Sequence, residues 1–351
     1  MSRYYETIGC LHIHFPLSRG RQALRYLGEE ARQAGVDFLV TNSHTPRNSH
    51  RKAKTEYLFR ETGYRAGTLV IVGEELDDNF RHDSHCLVIG ARGWVGRQLP
   101  FQKTLQKVKS DGGLIFIAHP DGQHRLFLRR IDHRWKRTEI SEYHGLEIWS
   151  LLFDWAGATS LWNLPFRYFH FPNRLSGPSS ATLRFWEEKA RERPLVGVAG
   201  LDIHPLLFPG LDLCRKFRYR TVFRILRNHL LLRHPLSGDA ENDRKLIQET
   251  LAAGRLFVAR DGLKDSRGFF FGSEEGKIVM GERACPGVKV EVAVPFSGWL
   301  RLYHRGKLFM EKEGSWLRTS LEEPGVYRVE VFYQGQPWIF SNPLYVTGEK
   351  W

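Results

Sequence analysis

Through the first two-thirds of the chain, apolar residues gather into short unbroken runs. Thr7-Ile8-Gly9-Cys10-Leu11 is the first. Val36-Asp37-Phe38-Leu39-Val40-Thr41, Leu69-Val70-Ile71-Val72, Cys86-Leu87-Val88-Ile89, Leu114-Ile115-Phe116-Ile117-Ala118, Gly145-Leu146-Glu147-Ile148-Trp149 and Leu195-Val196-Gly197-Val198-Ala199 follow. Such runs fit strands covered on both faces, as in parallel sheets. Between them the spacing turns helical: Arg19 to Ala34 with Gly35 as a stop, Lys103 to Ser110, and Ser179 to Arg193 with Ser179 or Ser180 as the cap. A last helix, Ala240 to Ala253, is introduced by Ser237-Gly238-Asp239 and ended by Gly254. Strand–helix–strand alternation predicts an α/β fold with parallel strands and crossover helices.

From about Phe269 the period drops to two. Val288, Val290, Val292 and Val294 alternate with Lys289, Glu291 and Ala293, and Tyr327, Val329, Val331 and Tyr333 do the same. Gly and Pro stand at the breaks, Pro295 among them, which predicts short antiparallel strands in a small all-β sandwich domain. The expected division is a barrel or open sheet over 1–265 and the β-sandwich over 266–351. Within the first part, 151–175 is an aromatic-rich insertion holding Phe153, Trp155, Trp162, Phe166, Tyr168, Phe169 and Phe171. It reads as a lid, as a surface for an apolar ligand, or as a segment packed on the main fold, and packing is the favoured reading.

Length and composition narrow the class. The chain has 351 residues with 42% hydrophobic ones, enough for one or two packed cores. No apolar stretch is long enough to span a membrane, and the start, Met1 to Glu6, lacks the apolar centre of a signal peptide, so a cytoplasmic protein is expected. The four cysteines are far apart and read as buried thiols. The formal net charge of +13 favours anionic partners: a phosphorylated small molecule, a nucleic acid or an acidic surface. Arg47–Lys54, Arg125–Arg137 and Arg215–Arg233 are mild basic clusters.

The candidate chemistry lies at the ends of the apolar runs. His12 and His14 stand two apart, and in an extended strand both side chains leave one face. His44, Glu75, His119, Asp202 and His204 follow the ends of other runs, while His85 precedes its own. Ligand types at strand ends place a site at the C-terminal edge of a barrel or open sheet. So many buried polar termini are costly without partners, and converging on metal ions would satisfy them together. Imidazoles mixed with carboxylates suit zinc, manganese or iron. Eight ligands exceed what one ion takes, so two or more ions are expected. Paired ions generate a hydroxide near neutral pH and clamp phosphoryl oxygens. His124, His133, His144, His170, His229, His234 and His304 carry no marking spacing. Serine-hydrolase, P-loop and dinucleotide fingerprints are absent from the sequence.

In order, His12-x-His14, Thr41-Asn42-Ser43-His44, Gly73-Glu74-Glu75, His85, Ala118-His119-Pro120 and Ala199-Gly200-Leu201-Asp202-Ile203-His204 resemble the PHP (polymerase and histidinol phosphatase) superfamily over the first two-thirds of the chain. The resemblance implies a distorted seven-stranded β/α barrel and phosphoester hydrolysis at a two- or three-metal site. The β-rich tail is similar to that of a subgroup with an extra C-terminal β domain. Carried over by position, His12, His14, His44, Glu75, His85, His119, Asp202 and His204 are implied metal ligands, with His12, His14, Asp202 and His204 at the catalytic centre. Glu75 fits the family's Gly-x-Glu, and Glu74 then faces the other side.

Two departures mark this chain. Ser18-Arg19-Gly20 stands where the family has Ser-Asp-Gly, so a guanidinium replaces a metal-binding carboxylate. That leaves a third metal in question and offers Arg19 as a phosphate binder. Ser43 stands where the family has an aspartate before the histidine, a place for an outer carboxylate. Arg47, Arg51 and their neighbours His50 and Lys52 could hold an anionic substrate, as could Arg81 and His82; a solvated basic loop is the alternative. Glu147 ends a strand and could face the mouth, with a structural role the favoured reading. The expected function is a metal-dependent phosphoesterase acting on a small phosphorylated substrate, with no general acid assigned. The rivals are a nuclease, a carbamate or ester hydrolase of the same superfamily, and a non-catalytic metal-binding module.

Overall fold

The computed structural model describes residues 4–78, 83–96, 99–126, 129–160, 162–204 and 218–348, with the side chains of 124–126 and 129–131 left aside. Strand β1 (Tyr5–Ile13) leads through helix α1 (Gly20–Ala34) to β2 (Phe38–His44). Helix α2 (Ser49–Thr55) and the short β3 (Gly63–Arg65) precede β4 (Thr68–Leu76) and β5 (Cys86–Ile89). Helix α3 (Phe101–Ser110) precedes β6 (Leu114–Ile117), and a hairpin, β7 (Gln123–Leu126) and β8 (Arg129–Asp132), separates it from β9 (Gly145–Ser150). Helices α4 (Leu151–Gly157), α5 (Leu164–Phe169) and α6 (Ser180–Glu192) lead to β10 (Val196–Ile203). Ser179 caps α6 by accepting from the Thr182 N–H, and Gly35 ends α1 in the left-handed conformation.

Pairing closes a barrel of seven strands in the order β1, β2, β4, β5, β6, β9, β10 and back to β1. The all-parallel expectation fails at one strand: β5 runs antiparallel to both β4 and β6. The physical reason is its short connection from β4, which carries no described helix and so returns the chain in the opposite direction. Helices also do not alternate regularly with strands, and a β-hairpin stands between β6 and β9.

Side chains alternate cleanly between two layers. Phe38, Val40, Leu69, Ile71, Leu87, Ile89, Leu114, Phe116, Val196 and Val198 fill the barrel interior. Leu39, Val70, Val72, Cys86, Val88, Ile115, Ile117, Leu146 and Ala199 face outward against the helices. The short α7 (Tyr219–Val222) precedes β11 (Arg227–Leu232), which joins the start of β1 antiparallel. Ile247 and Leu251 of α8 (Ala240–Ala252) close the interior at that end.

Strand β12 (Leu256–Ala259) then pairs with β11 and with a strand near the C-terminus, so the sheet runs on into further strands of the C-terminal part. Those strands are β13 (Phe270–Ser273), β14 (Arg283–Ala284), β15 (Val288–His304), β16 (Lys307–Leu321), β17 (Gly325–Tyr333), β18 (Gln336–Ser341) and β19 (Leu344–Val346). The sequence led us to expect a strand break at Pro295, and the structure shows none. Pro295 falls inside β15, where the pairing with β16 shifts register between Ala293 and Gly298, and an irregularity of that kind tolerates a proline. Asn342 ties this part to the barrel through the Gly197 N–H and C=O, at 2.7 and 2.8 Å.

The aromatic insertion divides. Phe171 is buried and Trp155 packs on the main core, while Trp162, Phe166 and Phe169 are exposed. Cys10 and Cys86 are buried thiols, but Cys285 is exposed because it sits on a turn between strands, and Cys214 lies outside the described residues. No helix among the described residues is long and apolar enough to cross a membrane.

Candidate metal centre

The interior register of the barrel leads directly to the polar cluster. On β2 the inward series Phe38, Val40 continues by twos to Asn42 and His44. On β4, Leu69 and Ile71 continue to Gly73 and Glu75; on β10, Val196 and Val198 continue to Gly200, Asp202 and, just past the strand, His204. Strand β5 gives the same series in reverse, Ile89, Leu87, then His85. Its antiparallel direction explains why His85 precedes its run: the start of β5 lies at the mouth where the parallel strands end.

Three ligands, His12, His14 and His119, reach the mouth by local distortion of the backbone. Leu11 faces the interior and Cys10 and Ile13 the outer layer, so Leu11 and His12 share a side. The simple alternation expected for His12 and His14 therefore does not hold. A register irregularity at this point of β1, with His12 at φ 60°, turns both rings into one cluster with centroids 5.1 Å apart. His119, just after β6, has φ 28°, and Asp202 has φ 49°. Side chains other than glycine rarely adopt this region, and each instance costs on the order of 1–3 kcal/mol. Their concentration on three residues of one cluster marks a site where backbone comfort yields to side-chain placement.

Glu75 is the hub. Its Oε1 lies 2.8 Å from His85 Nδ1 and 3.4 Å from both His12 Nε2 and His119 Nε2. Its Oε2 lies 3.1 Å from His44 Nδ1 and 3.3 Å from His14 Nε2. Asp202 Oδ1 faces His12 Nε2 at 3.4 Å, His14 Nε2 at 3.3 Å and His204 Nδ1 at 3.5 Å. Ligand atoms converge in four overlapping groups, each within 4.8 Å: His14, His44 and His204; His12, His119 and Asp202; His12, His14 and Glu75; Glu75, His85 and His119. All eight candidate ligands take part.

Burial and charge are in conflict here. Burial disfavours ionised Glu75, yet the imidazoles of His44, His12 and His85 hold its pKa well below the usual carboxylate value. Burial also opposes charge on Asp202, which His12, His14 and His204 nevertheless keep low. His12 is pushed down by burial but lifted well above the ordinary imidazole value by Glu147, Asp202 and Glu75. Burial wins at His14, driven down to about 3. His12 Nε2, His14 Nε2 and Glu75 Oε2 are buried with no hydrogen-bond partner. Orphaned imidazole nitrogens and a carboxylate oxygen facing one another are the donor set of a transition-metal site, so these residues fit divalent cations.

Around the ligands lie residues the sequence undervalued. Glu147 faces inward from β9 with its Oε1 2.7 Å from His12 Nδ1. Asn42 Oδ1 accepts the His12 backbone N–H at 3.2 Å. His133, unmarked in the sequence, places its ring 4.7 Å from that of His85 and 6.0 Å from that of His119. Glu74 points to the opposite side of β4, where it accepts from the Thr45 hydroxyl and from the Val95 and Gly96 N–H groups; burial lifts its pKa to about 7.

The basic candidates are not part of the buried cluster. Arg19 is exposed at the end of a 3-10 turn, and Arg47, His50 and Arg51 are exposed around the start of α2. Lys52 is half-buried with its Nζ 3.0 Å from the Gly96 carbonyl. Ser43, in place of the family's aspartate, exchanges hydrogen bonds with the Phe15 backbone at 3.4 Å. Arg81 and His82 lie outside the described residues.

No family model and no curated protein matches the sequence. Two solved structures are similar in fold. One is a two-domain protein from Bacteroides vulgatus ATCC 8482 containing a predicted PHP-like metal-dependent phosphoesterase; it shares 15% identity at a TM-score of 0.49, covering 97% of this chain and 96% of that one. The other, from Bifidobacterium adolescentis ATCC 15703, is provisionally named a metal-dependent phosphoesterase; it shares 15% identity at a TM-score of 0.35, covering 60% of this chain and 96% of that one.

Proposed function

We propose that this protein is a metal-dependent phosphoesterase acting on a small phosphorylated substrate. The observation that carries the reading is Glu75, one buried carboxylate met by five imidazoles and a member of two of the four overlapping ligand groups. A shared ligand is what two neighbouring cations need. Divalent ions held there would supply an acidified water and neutralise phosphoryl oxygens. His12, His14, His44, Glu75, His85, His119, Asp202 and His204 would hold them, and the mixed imidazole and carboxylate set favours zinc, manganese or iron. Arg19, Arg47 and Arg51 are exposed guanidinium groups suited to drawing in an anionic substrate, in keeping with the net charge of +13.

A cavity of about 350 Å³ adjoins the cluster, lined in part by His119, Glu147, Trp149, Phe153, Asp154 and Ser179. That volume is at the lower end for small-molecule pockets and favours a compact ester over a polymer. A larger cavity of about 420 Å³ includes Glu6, Ile8, Asp37 and Thr68 at the other end of the strands, away from these ligands.

The test is turnover by protein loaded with manganese or zinc against phosphomonoesters, phosphodiesters, nitrophenyl carboxylate esters and single-stranded DNA. Hydrolysis of a small phosphoester that His12→Ala abolishes supports the reading. Turnover confined to DNA or to carboxylate esters replaces it, and no turnover of any substrate ends it.

A further inference from the structure

One buried carboxylate touches the cluster without belonging to any of its ligand groups. Glu147 stands on the inward face of β9 and is 1% exposed. Its Oε1 lies 2.7 Å from His12 Nδ1, and its Oε2 accepts the His119 backbone N–H at 2.8 Å. It thus grips two candidate ligands, one on β1 and one just after β6. Both are residues whose backbones sit at positive φ, a region side chains other than glycine rarely adopt. The space for this carboxylate comes from the neighbouring strand: a Cβ on Gly200 of β10 would lie 1.6 Å from Glu147 Oε1.

We infer that Glu147 is a positioning residue that fixes the ring of His12 and the turn at His119, and that Gly200 is glycine to admit it. The inference rests on the metal-site reading above. A carboxylate accepting from Nδ1–H leaves the lone pair of the neutral ring on Nε2. That nitrogen has no hydrogen-bond partner and faces Glu75 Oε1 and Asp202 Oδ1, each at 3.4 Å. With the ring flipped or the other tautomer selected, a proton would point into the cluster and the Nε2 ligand would be lost. The second oxygen acts on the backbone, holding His119 where its Nε2 faces the same Glu75 oxygen. A carboxylate present only for stability would have no reason to choose these two contacts.

The experiment uses the full chain and Zn²⁺ as the probe, with affinity read by competition against a chromophoric chelator. The hydrogen-bonded Nδ1 proton of His12 is followed as a downfield resonance in ¹⁵N-histidine-labelled, zinc-loaded protein. Glu147→Ala is expected to weaken zinc binding by roughly 10–100-fold and to remove the resonance. Gly200→Ala should reproduce both effects, because the atoms nearest its methyl group are those of the Glu147 carboxylate, which it displaces. Glu147→Gln, which keeps one acceptor, should fall between them and the wild type. The Gly200 and Gln variants carry the test where Glu147→Ala does not fold. Unchanged zinc affinity with the resonance retained in folded variants overturns the inference, and so does a wild type that binds no zinc. Neither readout requires turnover. Loss of zinc affinity in a chain that cleaves no phosphoester leaves the positioning role standing and removes the hydrolase reading; turnover with no effect of Glu147 does the reverse.

Discussion

His85 Nδ1 lies 2.8 Å from Glu75 Oε1, and the two residues come from strands running in opposite directions. That contact fixes the floor of the cluster, because the same carboxylate also faces His12, His14, His44 and His119. Replacing Glu75 by Gln keeps the shape and deletes the charge that every cation in the cluster would share. Glu75→Gln is therefore expected to lose more than about 100-fold of metal-dependent activity, beyond the range typical for outer partners of a metal site. Elemental analysis should show fewer ions per chain than in the wild type, and an unchanged ion count with full activity would refute the shared-ligand reading.

Metal should also stabilise the fold. Without a cation, His12 Nε2, His14 Nε2 and Glu75 Oε2 are buried without partners, and each such atom costs free energy. A ligand that binds only the native state at 100 times its dissociation constant adds about 2.7 kcal/mol. Thermal unfolding of chelator-treated protein should accordingly shift upward on titration with Zn²⁺ or Mn²⁺, and His14→Ala should shrink the shift. A melting temperature indifferent to both metals would contradict the fit of these residues to a cation.

Much of this site was legible because a barrel strand has a period of two. Once Phe38 and Val40 are interior, His44 must face the same side, and Leu69 and Ile71 place Glu75 likewise. What remained hidden depended on contacts between segments. The one sign near Cys86 that β5 runs antiparallel is that His85 precedes its run, and strand direction is settled only by which ends the connections bring together. His12 follows a backbone irregularity whose cause lies in its neighbours, Asn42 and Glu147, rather than in its own strand. Glu147 did leave a signal, a lone acid inside an apolar strand, and a buried acid needs a partner. His133 left none, because the hairpin of β7 and β8 delivers it from outside the barrel pattern.

Arg19 tests the division between binding metal and binding substrate. It is exposed and forms no ion pair with another described residue, so its removal should leave the buried ligands in place. Arg19→Ala is expected to raise KM for a phosphomonoester about tenfold, as loss of one charge-assisted contact would, with ion content unchanged. An unchanged KM would remove Arg19 from the substrate-binding set.

A buried histidine outside the cluster makes stability depend on alkaline pH. His229 of β11 is fully buried, its Nδ1 2.7 Å from Glu6 Oε1 and its Nε2 3.0 Å from Asp261 Oδ2. Burial opposes its charge, but Asp261 and Glu6 outweigh burial and raise its pKa to about 9. The folded protein therefore holds this proton more tightly than the unfolded chain, whose histidine titrates near 6.5. The resulting stabilisation is complete below about pH 6.5 and is lost as pH rises through about 9; the shift corresponds to roughly 3 kcal/mol. The contact also holds the barrel to the segment leading into the C-terminal part, since Glu6 Oε2 accepts the Gly268 N–H at 2.8 Å and the Ser266 hydroxyl reaches Asp261 at 2.6 Å. Urea midpoints measured on chelator-treated protein should fall between pH 7 and pH 10 in the wild type. In His229→Gln the curve should start lower and lose most of that slope. A variant that keeps the wild-type pH dependence would assign the alkaline loss to other groups, with the two carboxylates holding a neutral ring.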